Sequence, residues 1–546
     1  MPNSNASTGA VDVEVLVVGA GVTGIYALYR AREAGFSVQL VEAGSGVGGT
    51  WYWNRYPGAR FDSESYTYGY LFSRDLFDEW EWQEHFAAQP ETERYFNHVV
   101  DRFDLRRHMR FDVPVTSAHY DVRSGTWLVT LGGGDTIRAR FVIAATGVLS
   151  VPYVPDIPGR ESFGGVAHHT GRWPGEPVDF AGKRVAVVGT SSSGVQVVSS
   201  IAGDVAQLSV FQRSANWCTP LNNRPITAAE QAELRAGFDE LCRVLNTSIS
   251  GFAHPVNERM AFDDSAAERR AVYEQLWNSP GFMKLTSNYA DMLFNDAANA
   301  EWCDFIAAKI RGTVRDPAVA ERLVPKDHPF GAKRPPFVQG YFEAFNDPEV
   351  ELVDLRETPI VRVTPTGIET TDRTRDFDII VWATGFDFGT GALTRMGIHG
   401  RDGLALTEHW ADGPTTFLGL QTRGFPNLFF PGGPHAAAGN NPRYNGDQVD
   451  FLTDVLTHAA ARGCDVIEVS ATSEERWTRM VDKGAAKTTF GVIGQYVGGN
   501  IPGKPKRYLL NTGGRPKFFE VTADVVAHGY DAFEFTSSSA PAAADG

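Results

Sequence analysis

Cysteine is scarce, with four in 546 residues (Cys218, Cys242, Cys303 and Cys464) and no CxxC pair among them. Their wide spacing argues against a disulfide framework, a zinc ribbon and a dithiol redox centre, and no metal site is expected. No stretch of 18 or more apolar residues is present to span a bilayer. The opening MPNSNASTGA lacks both a charged n-region and an apolar h-region, so no secretory signal is expected and the cytoplasm is the expected compartment. Basic residues are outnumbered 50 to 66, a formal net charge of −16. That balance disfavours general nucleic-acid binding, which needs basic surface to displace counterions from phosphates. No feature points to an obligate protein partner.

Glycine, by contrast, is abundant: 56 residues, more than packing requires. Many tight turns or close backbone approaches to ligands are expected. With 42% hydrophobic and 21% charged residues, the chain reads as folded, and its length suggests two to four domains.

The segment EVLVVGAGVTG runs from an apolar strand into Gly19-x-Gly21-x-x-Gly24, followed by an amphipathic stretch and a second strand, VQLVE. This order predicts a βαβ unit binding a dinucleotide. Gly19 permits the turn, Gly21 lets the backbone approach a diphosphate, and Gly24 lets helix and strand pack closely. Free N–H groups at the helix start favour the anion. Glu42 closes the second strand, placed to accept hydrogen bonds from ribose hydroxyls.

A second unit starts at KRVAVVG, with a loop of Gly189, Thr190, Ser191, Ser192 and Gly194 and a helix to about Ile201. Its second strand, LSVFQR, ends on Arg213, followed by Ser214. An arginine there pairs with a 2′-phosphate that an acid would repel, so this unit reads as an NADP(H) site. Ser191 stands where the middle glycine is expected; a serine fits if its φ is negative and its side chain points away from the diphosphate.

Two dinucleotide sites in one chain suggest a flavin fed by a nicotinamide. The near-repeats FVIAATG and IIVWATGF read as buried strands ending in small-residue turns, which makes Thr384 and Gly385 cofactor-lining candidates. The predicted class is α/β, with two Rossmann-like dinucleotide-binding domains and a helical insertion. Residues 1–150 and 385–546 are expected to form the first domain, 151–225 and 332–384 the second, and 226–331 the insertion, with a disordered tail over 536–546. Within the insertion, Thr227-x-x-Glu230 and Ser265-x-x-Glu268 are candidate capping boxes. Leu234, Phe238, Leu241 and Leu245 form one expected core stripe, and Trp302, Ile306 and Ile310 another.

Two further motifs lie between the two units. Gly48-Gly49-x-Trp51-x4-Tyr56-Pro57-Gly58-x3-Asp62 follows the first βαβ unit, and Phe163-x-Gly165-x3-His169-x3-Trp173-Pro174 precedes the second. Together they resemble the fingerprints of the type I Baeyer–Villiger monooxygenases, and the resemblance runs from Val15 to about Phe535. It implies bound FAD, NADPH as reductant, and conversion of a ketone, cyclic by expectation, to an ester or lactone with O2. Gly49, Thr50 and Trp51 are expected beside the flavin. Asp62 corresponds to an aspartate that orients an active-site arginine, here Arg334. Lys333 resembles a lysine that helps Arg213 hold the 2′-phosphate, and His169 is expected near the domain connection, supporting domain movement. Several relatives carry tryptophan where Gln495 stands, on a loop over the nicotinamide cofactor.

In this chemistry a flavin C4a-peroxide attacks the carbonyl. A permanently charged guanidinium suits the developing anion and the tetrahedral adduct, and an aspartate fixes its position. A flavin monooxygenase acting on sulfur or nitrogen and a non-enzymatic NADPH sensor are the alternatives; the second fingerprint disfavours the first.

Overall fold

The structure, a computed structural model, describes residues 11–437, 439–488, 495–497 and 501–538. Its first large sheet is mixed. The strands Ile398–His399, Val115–Asp121, Thr126–Leu131, Thr136–Ala144, Val13–Val18, Val38–Val41 and Met109–Arg110 lie side by side in that order. Leu428–Phe429 adds to the long strand Thr136–Ala144 on the edge it shares with Thr126–Leu131. The parallel centre is nearly continuous Val, Leu and Ile because both faces are covered, as Leu16, Val17, Leu40 and Val142 show by their complete burial.

The second sheet is wholly parallel, in the order Val350–Asp354, Gln207–Gln212, Arg184–Val188, Ile379–Trp382 and Val166–His169. From Arg184–Val188 the chain passes through the helix Ser192–Ile201 to its neighbour on one side, and Ile379–Trp382 lies on the other. Strand order therefore reverses beside the Gly189 loop, where open parallel sheets bind ligands. A small antiparallel sheet, Ile360–Thr364, Gly367–Thr370 and Thr374–Asp376, precedes Ile379.

The two glycine loops are conformational copies. Gly19 and Gly189 have φ of +106° and +110°. A Cβ on Gly24 would lie 1.8 Å from the Gly19 carbonyl oxygen, and one on Gly194 would lie 2.0 Å from that of Gly189. Each loop also closes on its own Ala-Thr-Gly turn: a Cβ on Gly19 would meet Ala145 O at 2.7 Å, and one on Gly189 would meet Ala383 O at 2.4 Å. The repeated motif thus has a packing cause. The strand before each turn neighbours its glycine-loop strand, and the turn backs the loop.

Between the strands Gln207–Gln212 and Val350–Asp354 the chain forms the helices Ala228–Ala236, Phe238–Thr247, Ala266–Asn278, Asp296–Thr313 and Pro317–Leu323. Both capping boxes form, from Thr227 with Glu230 and from Ser265 with Glu268. Trp302, Ile306 and Ile310 are fully buried. The first stripe needs correction. Its helix breaks at Gly237, so Phe238 and Leu245 are buried whereas Leu234 and Leu241 are only half-buried. Thr536, placed in the tail by sequence, ends the strand Phe533–Thr536 paired with Val466–Val469, and Ser538 donates to Asp465. Residues 539–546 lie outside the described residues. No described helix is long and apolar enough to cross a membrane.

Candidate active site

The two fingerprints serve one junction. After the short helix Thr50–Trp53, the chain turns through Tyr56, Pro57 and Gly58 onto the helix that follows the second glycine loop. Gly58 has φ +79°, and a Cβ there would sit 2.7 Å from the Gln196 carbonyl oxygen, so backbone packs directly on backbone. The Tyr56 hydroxyl donates to Gln196 Oε1 at 2.8 Å, and Gln196 Nε2 donates to Arg60 O at 3.1 Å. The second fingerprint closes from the other side: Trp173 N–H donates to Trp53 O at 3.2 Å, and the Arg172 guanidinium lies 4.4 Å from the Trp53 ring centroid. Gly165 is required because Asp378 O would lie 2.6 Å from its Cβ. Phe163 packs with the buried cluster around Val188 and Trp382.

This packing delivers Asp62, 5% exposed, to Arg334. Arg334 Nη2 donates to Asp62 Oδ1 at 2.5 Å, and Nη1 donates to Ser192 Oγ at 3.0 Å. The Phe282 ring lies 5.3 Å from the guanidinium carbon. Burial opposes the charge, but the attraction and hydrogen bond of Asp62 outweigh it and hold the guanidinium above its ordinary pKa. The result is a fixed, permanently charged fork with one third of its side chain open to solvent.

Lys333 Nζ donates to Ser214 Oγ at 2.6 Å, and burial pulls its pKa down. Asp327 Oδ2 accepts from Ser214 Oγ at 3.1 Å and from Arg356, and lies 3.8 Å from Lys333 Nζ. Burial would raise the Asp327 pKa, but the His328 hydrogen bond and the Lys333 charge bring it to about 2. Arg213 is exposed at the end of its strand and pairs with no described residue. Sequence reasoning missed Asp327 and Arg356. The latter follows the adjacent parallel strand, and only strand order shows that it shares the Arg213 end.

The remaining candidates occupy definite places. Glu42 is buried, and its two oxygens accept from Ala20 N–H at 2.7 Å and Gly44 N–H at 2.8 Å. It therefore ties the first glycine loop to the segment leading to Gly49, and each oxygen keeps a further acceptor site. Burial raises its pKa. Gly49 faces Gly21 so closely that its Cβ would lie 2.7 Å from Gly21 Cα. Thr50 is exposed beside it, and Trp51 is buried with Nε1 donating to Tyr68 Oη at 2.8 Å. Thr190 donates to Ser214 O at 3.0 Å. Ser191 has φ −91° and ψ −171°, nearly the −80° and −175° of Gly21. Serine is therefore accommodated without strain. Thr384 donates to Tyr153 O, and open space faces Gly385. His169 ends its strand beside Trp382, its Nδ1 accepting from Gly171 N–H at 2.9 Å and its ring edge-on to Phe386. Burial lowers its pKa to about 4, so the ring is neutral at pH 7. Gln495 falls in the short turn Gln495–Val497, and its side chain lies outside the described atoms.

Both loops fit a dinucleotide diphosphate: each glycine cradle rejects a side chain, and each opens a helix whose first N–H groups are free of side-chain caps. Two such loops, with Arg334 clamped by Asp62 and Ser192, define a two-nucleotide oxidoreductase. Residues 16–250 match the family model described as pyridine nucleotide-disulphide oxidoreductase. The chain is 42% identical to 2-oxo-Δ3-4,5,5-trimethylcyclopentenylacetyl-CoA monooxygenase of Pseudomonas putida, over 97% of this chain and 99% of that one. It is 38% identical to cyclopentanone 1,2-monooxygenase of a Comamonas species, over 96% of both. The crystal structure of OTEMO with FAD and NADP matches at TM-score 0.94 and 41% identity, covering 96% of this chain and all of that one. Oxidized steroid monooxygenase bound to NADP matches at TM-score 0.92 and 43% identity, covering 97% and 100%. The chain belongs to the Baeyer–Villiger monooxygenases, flavoenzymes that use FAD and NADPH.

Proposed function

We propose that this enzyme oxygenates a ketone to an ester or lactone, with Arg334 as the group that stabilises developing negative charge. The observation that carries this reading is the Arg334 fork, fixed by Asp62 in front of the second glycine loop. Bound FAD, reduced by NADPH, would activate O2, one atom of which enters the product while the other leaves as water. Arg334 holds its positive charge in a partly dry site, where it favours the anion that builds on the former carbonyl oxygen. Asp62 orients the guanidinium and offsets part of its charge. Arg213, Lys333 and Ser214 hold the nicotinamide cofactor by its 2′-phosphate. The Tyr56–Gly58 contact with Gln196 keeps the two nucleotide units in register.

Relatives named for acetone, cyclopentanone and cyclohexanone oxygenation support the ketone class. A phenazine N-monooxygenase of Lysobacter antibioticus, 37% identical over 95% of this chain, favours keeping nitrogen oxidation as a second reading. Turnover of a ketone panel against a phenazine, with products identified by mass, separates the two. N-oxide without ester would reverse the assignment.

A further inference from the structure

A basic cavity of about 840 Å³ lies between the helices Ala471–Ala485 and Gly514–Ala527. Arg476, Arg479 and Lys483 fall at i, i+3 and i+7, one face of the first helix, and Lys487 continues the row beyond its end. Lys517 faces them from the second helix. The opposite side of the first helix carries the buried Trp477, Thr478 and Val481, so the basic face is not an accident of packing. The cavity holds one acid, Glu520, which pairs with Lys517 at 2.5 Å. Arg476, Lys483 and Lys487 have no ion-pair partner among the described residues. Converging unpaired cations repel one another, and in a chain of net charge −16 they form an isolated focus for an anion.

The cavity is not purely ionic. Phe294, 57% exposed, stands on its wall beside Met480 and Pro516, which offers a planar group an apolar surface. Its volume lies within the range of about 300–1,000 Å³ usual for small-ligand pockets. Asn511 on its lining is strand-paired with Ala437. Four residues beyond Ala437 starts the helix Asn441–Ala461, whose Asn445 donates to Thr23 on the first glycine helix at 2.8 Å. Arg515, next to the lining residue Pro516, donates its N–H to Ile249 O at 3.0 Å. The cavity wall is thus continuous both with the flavin-side segment and with the helical insertion.

We propose that this cavity is a second ligand site that holds the phosphates of a nucleotide-carried substrate, a ketone joined as a thioester to a phosphorylated adenosine carrier. Several cations in a row suit two or more phosphates better than a single carboxylate, and the Phe294 ring suits an adenine face. This deepens the proposed ketone oxygenation and rests on it only for its kinetic arm.

The test begins with the FAD-loaded enzyme saturated with NADP+, so that the nicotinamide nucleotide site is filled. Coenzyme A and inorganic pyrophosphate are titrated separately by calorimetry. The expected result is saturable coenzyme A binding, weaker for pyrophosphate, and weakened about tenfold or more in Lys483→Glu/Lys487→Glu. These lysines are exposed and have no ion-pair partner among the described residues, so the fold should survive, and FAD content and NADP+ affinity are measured as controls. In kinetics, KM for a 2-oxocyclopentenylacetyl-CoA ester should rise about tenfold in the double variant, with KM for the free ketone acid unchanged. No coenzyme A binding, binding lost in Arg213→Ala but not in the lysine variant, or equal pyrophosphate binding would each overturn the proposal. If wild type oxygenates neither ester nor acid, the ketone reading fails, while calorimetry still decides the cavity.

Discussion

Arg334 bridges the two nucleotide units: one guanidinium nitrogen donates to Asp62 Oδ1 at 2.5 Å, the other to Ser192 Oγ at 3.0 Å. Asp62 arrives from the segment after the first βαβ unit, and Ser192 opens the helix of the second. The charge therefore sits correctly only when both units are docked. Ser192→Ala should leave FAD binding unchanged and lower kcat about tenfold, the worth of one charge-assisted hydrogen bond. Steady-state kinetics beside flavin absorbance measures this, and an unchanged kcat would remove Ser192 from the positioning of Arg334.

At the second loop, substitutions at Ser191 and Gly194 should differ severalfold in cost. Ser191 has an ordinary extended backbone, so Ser191→Gly relieves no strain and should cost about 0.4–1 kcal/mol through the unfolded chain. Gly194→Ala would place a methyl 2.0 Å from Gly189 O and should destabilise by about 3 kcal/mol or more. Thermal unfolding of the two variants checks the order, and a tolerated Gly194→Ala would contradict the close approach.

Much of this was legible in the sequence because backbone geometry imposes it. The glycine spacings, both capping boxes and the Trp302–Ile306–Ile310 stripe follow from local rules, and the structure reproduces each. The family fingerprints were legible too, but their purpose was not. That Gly58 abuts Gln196 and Trp173 bonds to Trp53 depends on how two distant segments dock. Asp327 and Arg356 escaped for the same reason, since Asp327 reaches Ser214 from a distant loop and Arg356 reaches Asp327 from the end of the neighbouring strand. The Leu234–Leu245 stripe failed because Gly237 divides its helix, which periodicity alone did not register.

Discrimination between nicotinamide cofactors should follow the cation cluster. Arg213→Ala should raise KM for NADPH at least about tenfold and leave KM for NADH within about twofold, since only NADPH carries the extra phosphate. Lys333→Ala should act in the same direction. Equal effects on both cofactors would contradict a 2′-phosphate contact.

His169 supplies a pH dependence. Burial lowers its pKa from 6.5 to about 4 in the fold. Between those values the unfolded chain holds the proton and the folded chain does not, so stability is full above pH 6.5 and falls as pH drops towards 4. The steepest loss is about 1 kcal/mol per pH unit. His169→Gln should flatten this acid limb in unfolding curves taken across the range. A variant with the same slope as wild type would show that His169 is not the group excluded from protonation.

Aerobic NADPH oxidation by the FAD-loaded enzyme with a ketone, compared in wild type and Arg334→Ala, tests the central claim most directly. The expected result is an ester or lactone one oxygen atom heavier than the ketone, formed in step with NADPH use by wild type. In the variant it should fall by about three orders of magnitude while flavin remains bound. Undiminished ester formation by Arg334→Ala, or NADPH consumption by wild type with no oxygenated product from any ketone, would contradict it.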